Sequence, residues 1–478
     1  MQVAAMLAAR PSGILAGVPV APLRVAIIGA GPAAFYAAEA LLKQTQLPVD
    51  VDMFDRLPTP YGLVRHGVAP DHQKIKKVAA GFAAVAEHAA FRFLGNVEFG
   101  RDITFDDIRE HYHIVLFATG AQTDRQLDIP GEDLPGSHSA TAFVAWYNGH
   151  PDCRDLDFDL SVERAVIIGV GNVALDVARI LCRTPRELEQ TDIAPHAIRA
   201  LSQSRVREVH VIGRRGPAQA SFTNPELKEL GELEDTDVIV PASEAELDPL
   251  SEQDLAVTGD RTRRRKVELI ASYAAREPRA RGKRLYLRFL LSPTELIAGE
   301  NGSVAAVRFV RNQLERNEAG TLSALPTGSE EVLAAGLVFR SVGYRGVPLP
   351  GVPFRADHGV IPNQDGRVVD PDTSEPLPGV FAAGWIKRGP SGVIGTNKPD
   401  AVQTVAAMLE DARNGITLGS AASDSASVDR LLRERGCTPV TFADWKRLDQ
   451  IEVERGQELG RPRVKFTSVQ EMLDALAK

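Results

Sequence analysis

Cysteine is scarce. The 478 residues include three, Cys153, Cys182 and Cys437, with no C-x-x-C spacing among them. That pattern excludes a disulfide framework, a redox dithiol and the usual zinc or iron–sulfur ligand spacings, so no metal site is expected. It suits a reducing compartment, and the cytoplasm is the expected location. No apolar run approaches the ~20 residues of a membrane helix, so stable membrane insertion is not expected. Positive charge is in deficit as well: 55 Lys and Arg face 63 Asp and Glu, a net charge of −8, which argues against a nucleic-acid partner. Residues 1–22 carry one charge, Arg10, among three prolines. A secretory signal wants positive charge ahead of its apolar run, and a transit peptide wants several arginines. The segment reads as a loosely ordered extension, the other reading being a degenerate presequence for the mitochondrial matrix.

What is present is a chain long enough for two or three domains, organised around residues 24–55, RVAIIGAGPAAFYAAEALLKQTQLPVDVDMFD. Residues 25–28 are an apolar, β-branched run that suits a buried parallel strand. Gly29-Ala30-Gly31-Pro32-Ala33-Ala34 follows, then a helical stretch, then a second strand over 49–54 that closes on Asp55. Gly29 permits the tight turn, Gly31 leaves room for a pyrophosphate beside the backbone, and Ala34 lets helix and strand pack closely. The pyrophosphate sits at a helix N-terminus, and Asp55 is placed to accept hydrogen bonds from ribose hydroxyls.

The loop from 57 to 72 is too rich in proline and glycine for a helix or central strand, and its apolar content beside a cofactor site implies that it wraps a ligand. Residues 74–87 read as a helix, 91–93 and 96–99 as short strands, and 113–117 as a buried strand. Residues 164–180, RAVIIGVGNVALDVARI, then repeat the opening pattern, with Gly169-Val170-Gly171-Asn172-Val173-Ala174 as the turn. Their partner strand, 208–212, ends on Gly213-Arg214-Arg215. An acid there repels a 2′-phosphate, whereas arginines bind it bidentately. The separation requires an insertion over 184–207. Two dinucleotide sites, one closing on an acid and one on arginines, imply FAD and then NADP.

Residues 261–266, RTRRRK, are the densest basic run, read either as a solvated face or as a docking site for an acidic partner. Residues 285–291, 305–310 and 336–341 look like strands. The strand before Gly384 opens into a glycine-rich segment, 384–395, able to approach something flat, and a helix from Lys398 aims its N-terminus at it. Trp385 either packs on the isoalloxazine or is a core tryptophan. Lys387 and Arg388 are read as further positive charge near the flavin. Trp445 is the expected anchor of the C-terminal tail.

From about residue 23 to the C-terminus the chain resembles the adrenodoxin-reductase family, which includes bacterial ferredoxin–NADP reductases. The motifs are YGLVRHGVAPDH at 61–72, GNVALDVAR at 171–179, the pair Arg214 and Arg215, GWIKRGPSGVIGTNK at 384–398 and TFADWKRLD in the tail. Disulfide reductases share the general fold but need a cysteine pair that this chain lacks. The resemblance implies FAD held by Gly29, Gly31, Pro32, Ala33, Asp55, Leu63, Val97, Trp385, Gly392, Val393 and Ile394. It implies NADP held by Arg125, Gly169, Gly171, Asn172, Val173, Arg214, Arg215, Glu226 and Gly392. Asp176 and His72 match residues near electron or proton transfer, although a first-turn carboxylate also complements a helix dipole and His72 could simply bond backbone. Many relatives carry Glu where Asp55 stands, and Gln73 replaces a common proline.

The expected fold is α/β: two doubly wound nucleotide-binding domains, FAD over 23–120 and 345–478, with NADP over 121–344 inserted. The expected activity passes electrons from NADPH through FAD to a small, acidic iron–sulfur ferredoxin, the protein working as a monomer. Two other readings are a ligand-sensing flavoprotein without catalysis and an FAD monooxygenase.

Overall fold

The computed structural model describes residues 22–419 and 424–478, so the expectation for the N-terminal extension lies outside the described residues. β1 (Leu23–Ile28), β2 (Val49–Phe54), β3 (Phe91–Leu94) and β4 (Ile114–Phe117) are the parallel part of a first sheet. Val25 and Ile27 enter one core, while Ala26 and Ile28 enter another on the opposite face. Burial on both faces is why β1 reads as an unbroken apolar run.

The chain leaves through β5 (Thr123–Asp124) and builds a second sheet from β6 (Ser137–Ser139), β7 (Arg164–Ile168), β8 (Glu208–Ile212), β9 (Thr236–Ile239) and β10 (Lys283–Arg288). β11 (Leu291–Ala298), β12 (Val304–Arg316) and β13 (Leu322–Ala334) form an antiparallel layer, and Val307 and Phe309 pack it onto Val166, Ile168 and Ile212. β14 (Leu337–Arg340) rejoins the second sheet, and β15 (Tyr344–Arg345) pairs antiparallel with β5, so the outgoing and returning chain run side by side. β16 (Asn363–Gln364), β17 (Arg367–Val369) and β18 (Pro376–Ala382) complete the first sheet.

The first sheet has seven strands in the order β16-β17-β18-β4-β1-β2-β3, and the second has six in the order β6-β14-β7-β8-β10-β9. Chain order reverses between β1 and β4 in the first and between β7 and β14 in the second. In doubly wound sheets such reversals open crevices at the carboxyl ends of the strands. The expected pair of doubly wound sheets is therefore present, each with one such crevice.

Three local expectations change. Residues 74–87 fold as two helices, Gln73–Lys76 and Val78–Ala86, because Lys77 and Ala80 bond three residues back and break the helical ladder. Residues 96–99 make no strand, since Asn96 takes φ 60° and ends the pairing of β3. The run 285–291 splits at Leu290, also at φ 60°, where the chain turns from the parallel sheet into the antiparallel layer. Trp445 does anchor the tail: it is buried, edge-on to Tyr61 with ring centroids 6.0 Å apart and under the Arg65 guanidinium. Among the described residues no helix is long and apolar enough to cross a membrane.

Candidate functional site

Both crevices are built alike. Gly29 takes φ 101°, and a Cβ there would lie 2.7 Å from the Ala118 carbonyl oxygen at the end of β4. Gly169 takes φ 133°, and a Cβ there would overlap the Ser341 carbonyl oxygen at the end of β14. Neither position admits a side chain, because the turn must pass against the strand across the switch point. Gly31 and Gly171, each the N-cap of the helix that follows, have ordinary negative φ and nothing within 4 Å of where a Cβ would stand. Glycine is thus not required there by the protein's own packing. Open space at a helix N-terminus, with free N–H groups facing it, fits a pyrophosphate. Ala34 and Ala174 are fully buried behind the two turns.

Around the first turn, Asp55 has a structural task. Its Oδ2 accepts the Ala30 N–H and its Oδ1 the Leu57 N–H, both at 2.9 Å. Burial raises its pKa, and those two N–H groups oppose the shift. Each oxygen keeps a lone pair for a ribose hydroxyl. Tyr61 donates its N–H to Ala30 O, and a Cβ on Gly62 would lie 3.0 Å from Gly31 Cα, so the loop leading to Leu63 lies against the glycine turn. Val97 is buried and donates its N–H to Asp55 O, which ties it to the closing acid of the first turn. The Thr59 and Thr119 hydroxyls are buried near this turn with no partner among the described residues.

The glycine-rich return closes the same crevice. A Cβ on Gly384 would meet the Ala33 side chain at 2.6 Å, and the Gly384 N–H donates to Asp400 Oδ2 at 2.6 Å. Trp385 donates Nε1–H to Ser391 O and lies 5.3 Å from the Tyr344 ring, beside the β5–β15 ribbon. Gly392 and Val393 are exposed and Ile394 half-buried. Lys387 and Arg388 are not free charges: both reach Asp400, Lys387 at 3.0 Å, and Arg388 also holds Ser391 and Asn397. They fix the turn.

Around the second turn, Asn172 Oδ1 accepts the Thr223 N–H, Val173 packs on the core, and Val170 O accepts from Ser221 and Phe222. Arg214 is exposed and Arg215 half-buried, and neither has an ion-pair partner among the described residues. Burial, then the like charges of Arg214 and Arg263, lower the Arg215 pKa. Glu226, in the first turn of the helix Asn224–Leu230, has a buried Oε2 without a hydrogen-bond partner among the described residues, and burial raises its pKa. Arg125 is exposed, tied through its N–H to Gly343 O at the ribbon.

Between the two turns sits a charged cluster. His72 Nε2 lies 2.6 Å from Glu229 Oε2, and His72 Nδ1 lies 4.0 Å from Asp176 Oδ1. Burial pulls the His72 pKa down, but the Glu229 hydrogen bond and the charges of Asp176 and Asp71 together outweigh it, and the pKa is raised. Asp176, buried, has its pKa raised by that burial against the pull of Arg179, which it meets at 2.7 Å.

The description "Pyridine nucleotide-disulphide oxidoreductase" fits residues 23–236 by family profile. NADPH-ferredoxin reductase FprA of Mycobacterium tuberculosis is 46% identical over 460 residues, covering 95% of this chain and 98% of its own. Human mitochondrial NADPH:adrenodoxin oxidoreductase is 44% identical over 466 residues, covering 95% and 92%. The structure of the M. tuberculosis FprA in complex with NADPH superposes with a TM-score of 0.89 at 45% identity, over 96% of this chain and all of that one. The chain belongs to the NADPH-dependent ferredoxin and adrenodoxin reductases.

For a member of that family the structure brings most residues singled out from sequence to one of two crevices. Gly29, Gly31, Pro32, Ala33, Asp55 and Leu63 gather at the first with Trp385, and Gly169, Gly171, Asn172 and Val173 at the second. His72 and Asp176 meet between them. Gly392 and Val393 are exposed. Sequence reasoning missed Glu229, Asp71 and Arg179. Asp71 and Arg179 stood inside quoted motifs, but their pairing spans 108 residues. Glu229 sits three residues after Glu226 on one helix face, the only local signal for it.

Proposed function

We propose that the chain carries electrons from NADPH through FAD to a small acidic iron–sulfur ferredoxin. The observation that supports this best is the repeated crevice: two open glycine cradles at two switch points, one closed by Asp55 and the other by two arginines that have no ion-pair partner among the described residues. FAD belongs in the first and NADP in the second, with domains over 23–120 and 345–478 and over 121–344 respectively. When bound, the flavin supplies the hydride acceptor and hands electrons on to the ferredoxin one at a time.

The chain's residues bind and orient. Gly31 and Gly171 give backbone N–H groups to pyrophosphates, Asp55 takes a ribose hydroxyl, and Arg214 and Arg215 take the 2′-phosphate. Arg125, exposed at the ribbon, would also hold NADP. Glu226, whose Oε2 has no partner among the described residues, would accept a hydrogen bond from NADP. Leu63, Val97, Trp385 and residues 392–394 would hold the flavin. His72 holds a proton on Nε2 against Glu229, and Asp176 keeps a buried carboxyl beside it. The protein works as a monomer, and its three free thiols fit the cytoplasm.

The test is anaerobic mixing of the purified protein with NADPH. Rapid bleaching of the flavin, followed by reoxidation on adding a ferredoxin, is expected. No bleaching points to a ligand-sensing flavoprotein, and oxygen uptake matched to one hydroxylated product points to a monooxygenase.

A further inference from the structure

Folding divides the basic run. The helix Arg261–Ala274 starts at Asp260, whose Oδ1 accepts the Arg263 N–H at 3.0 Å. Residues 263, 266, 270 and 273 share a face at helical spacing, and on it Lys266, Ile270 and Tyr273 are buried. That face lies on the segment just after Arg214 and Arg215: Arg263 Nε donates to Ala218 O at 3.1 Å and Lys266 Nζ donates to Ala220 O. Arg263 Nη1 is held by Asp254 Oδ2 at 2.8 Å, while Nη2 makes no hydrogen bond among the described residues. The guanidinium is therefore fixed from two sides, at the loop of the arginine pair, with one nitrogen uncommitted.

We propose that Arg263 is a third reader of the adenosine 2′-phosphate, a specificity-determining cation supplied by this helix beside Arg214 and Arg215. The inference rests on the reading of that loop as the NADP site. Arg263 is close enough for its charge to lower the Arg215 pKa, after burial and Arg214. With Asp254 compensating one of the three guanidiniums, two positive charges stay uncompensated. A phosphate monoester carries close to two negative charges at neutral pH. The mutual repulsion of the arginines is relieved when such a dianion sits among them, and a nucleotide without it gains nothing.

The test is calorimetric binding of 2′,5′-ADP and of ADP to the FAD-loaded full chain. Arg263→Ala should weaken 2′,5′-ADP by about tenfold, the low end for a lost charged hydrogen bond because Asp254 shields it, and leave ADP within about twofold. Arg263→Lys should restore part of the loss. Equal weakening of both ligands would make Arg263 a loop clamp and overturn the proposal, as would no change in either. Arg214→Ala separates the two levels. If it abolishes the 2′,5′-ADP preference while Arg263→Ala does not, only this inference falls. If neither variant touches the preference, the NADP reading of the loop falls with it.

Discussion

Arg179, on the helix after the second glycine turn, holds both carboxylate oxygens of Asp71, which ends the loop wrapped against the first. Nε lies 2.5 Å from Oδ2 and Nη2 lies 3.0 Å from Oδ1. Arg183 adds a bond to Oδ2 at 2.9 Å, and the Arg179 side chain is wholly buried. One fork thus couples the two crevices and sets the spacing across which His72 faces Asp176. Burial works against the Asp71 carboxylate, but Arg179 and Arg183 outweigh it and hold its pKa below the ordinary value.

The first prediction concerns that fork. Asp71→Asn takes the two-pronged partner from the buried Arg179 and leaves it Asp176 at 2.7 Å and Glu229 at 3.7 Å, and breaking a buried pair from one side costs about 3–5 kcal/mol. A depressed pKa contributes stability above the unfolded value and loses it as pH falls through the folded one. The urea midpoint of the variant should therefore drop clearly at neutral pH, with the gap to the parent closing below about pH 4. A variant as stable as the parent at neutral pH would show that the fork contributes nothing net.

The second concerns His72, whose pKa is raised by the Glu229 hydrogen bond against the opposing pull of burial. For a raised histidine the contribution is fully present below the unfolded pKa, near 6.5, and is lost as pH rises through the folded value. Glu229→Gln removes the charged acceptor, and the His72 ring should then titrate lower, by NMR of labelled imidazole. A parent His72 that already titrates below 6.5 would rule out the charged pair.

The third separates the two glycines of the first turn. A Cβ on Gly31 meets no neighbour within 4 Å and its φ of −84° is ordinary, so Gly31→Val should fold with unchanged circular dichroism yet lose its visible flavin absorbance. Gly29→Ala forces a left-handed φ and a contact 2.7 Å from Ala118 O, so both fold and flavin should suffer. Full flavin occupancy in Gly31→Val would move the FAD site elsewhere.

The two turns were legible in sequence because each is local: a strand, two glycines, a helix and a closing strand carry their own physical signature. Trp445 was legible as an anchor for its bulk. The cluster around His72 was only half legible, since Asp71, Arg179 and Glu229 acquire their partners through contacts 108 and 157 residues apart in the chain. Asp55 was read for its acid, but its hold on Ala30 and Leu57 depends on how the turn folds back. The charge of Lys387 and Arg388 was visible and its neutralisation by Asp400 was not, because Asp400 reaches them from the start of the next helix. Periodicity also missed the breaks at Asn96 and Leu290, where a left-handed residue overrides the pattern, and at Lys77, where bonds three residues back replace the helical ladder.

The last prediction concerns the ferredoxin. A reductase of net charge −8 repels an acidic partner unless a local basic surface governs the encounter. Helical spacing turns Arg263 and Lys266 inward and leaves Arg261, Arg264 and Arg265 together on the outer face, all exposed. Among the described residues only Arg265 of these three has an ion-pair partner, Glu268 at 3.0 Å, and both side chains are largely exposed, a kind of pair worth little. Exposed charges act over about 8 Å at physiological salt, so a cluster outweighs distant net charge. Steering by such a patch raises association rates by roughly 10 to 10³ and fades as ionic strength rises. Turnover with ferredoxin should therefore fall with added salt, while reduction of ferricyanide, which needs no docking surface, should change much less. Reversing Arg261, Arg264 and Arg265 to Glu should lower ferredoxin turnover by about tenfold or more at low salt and spare both ferricyanide reduction and the KM for NADPH, since Arg263 stays in place. Untouched ferredoxin turnover would make this face merely solvated and put the docking surface elsewhere. A raised KM for NADPH would show instead that the outer arginines serve the nucleotide and not the partner.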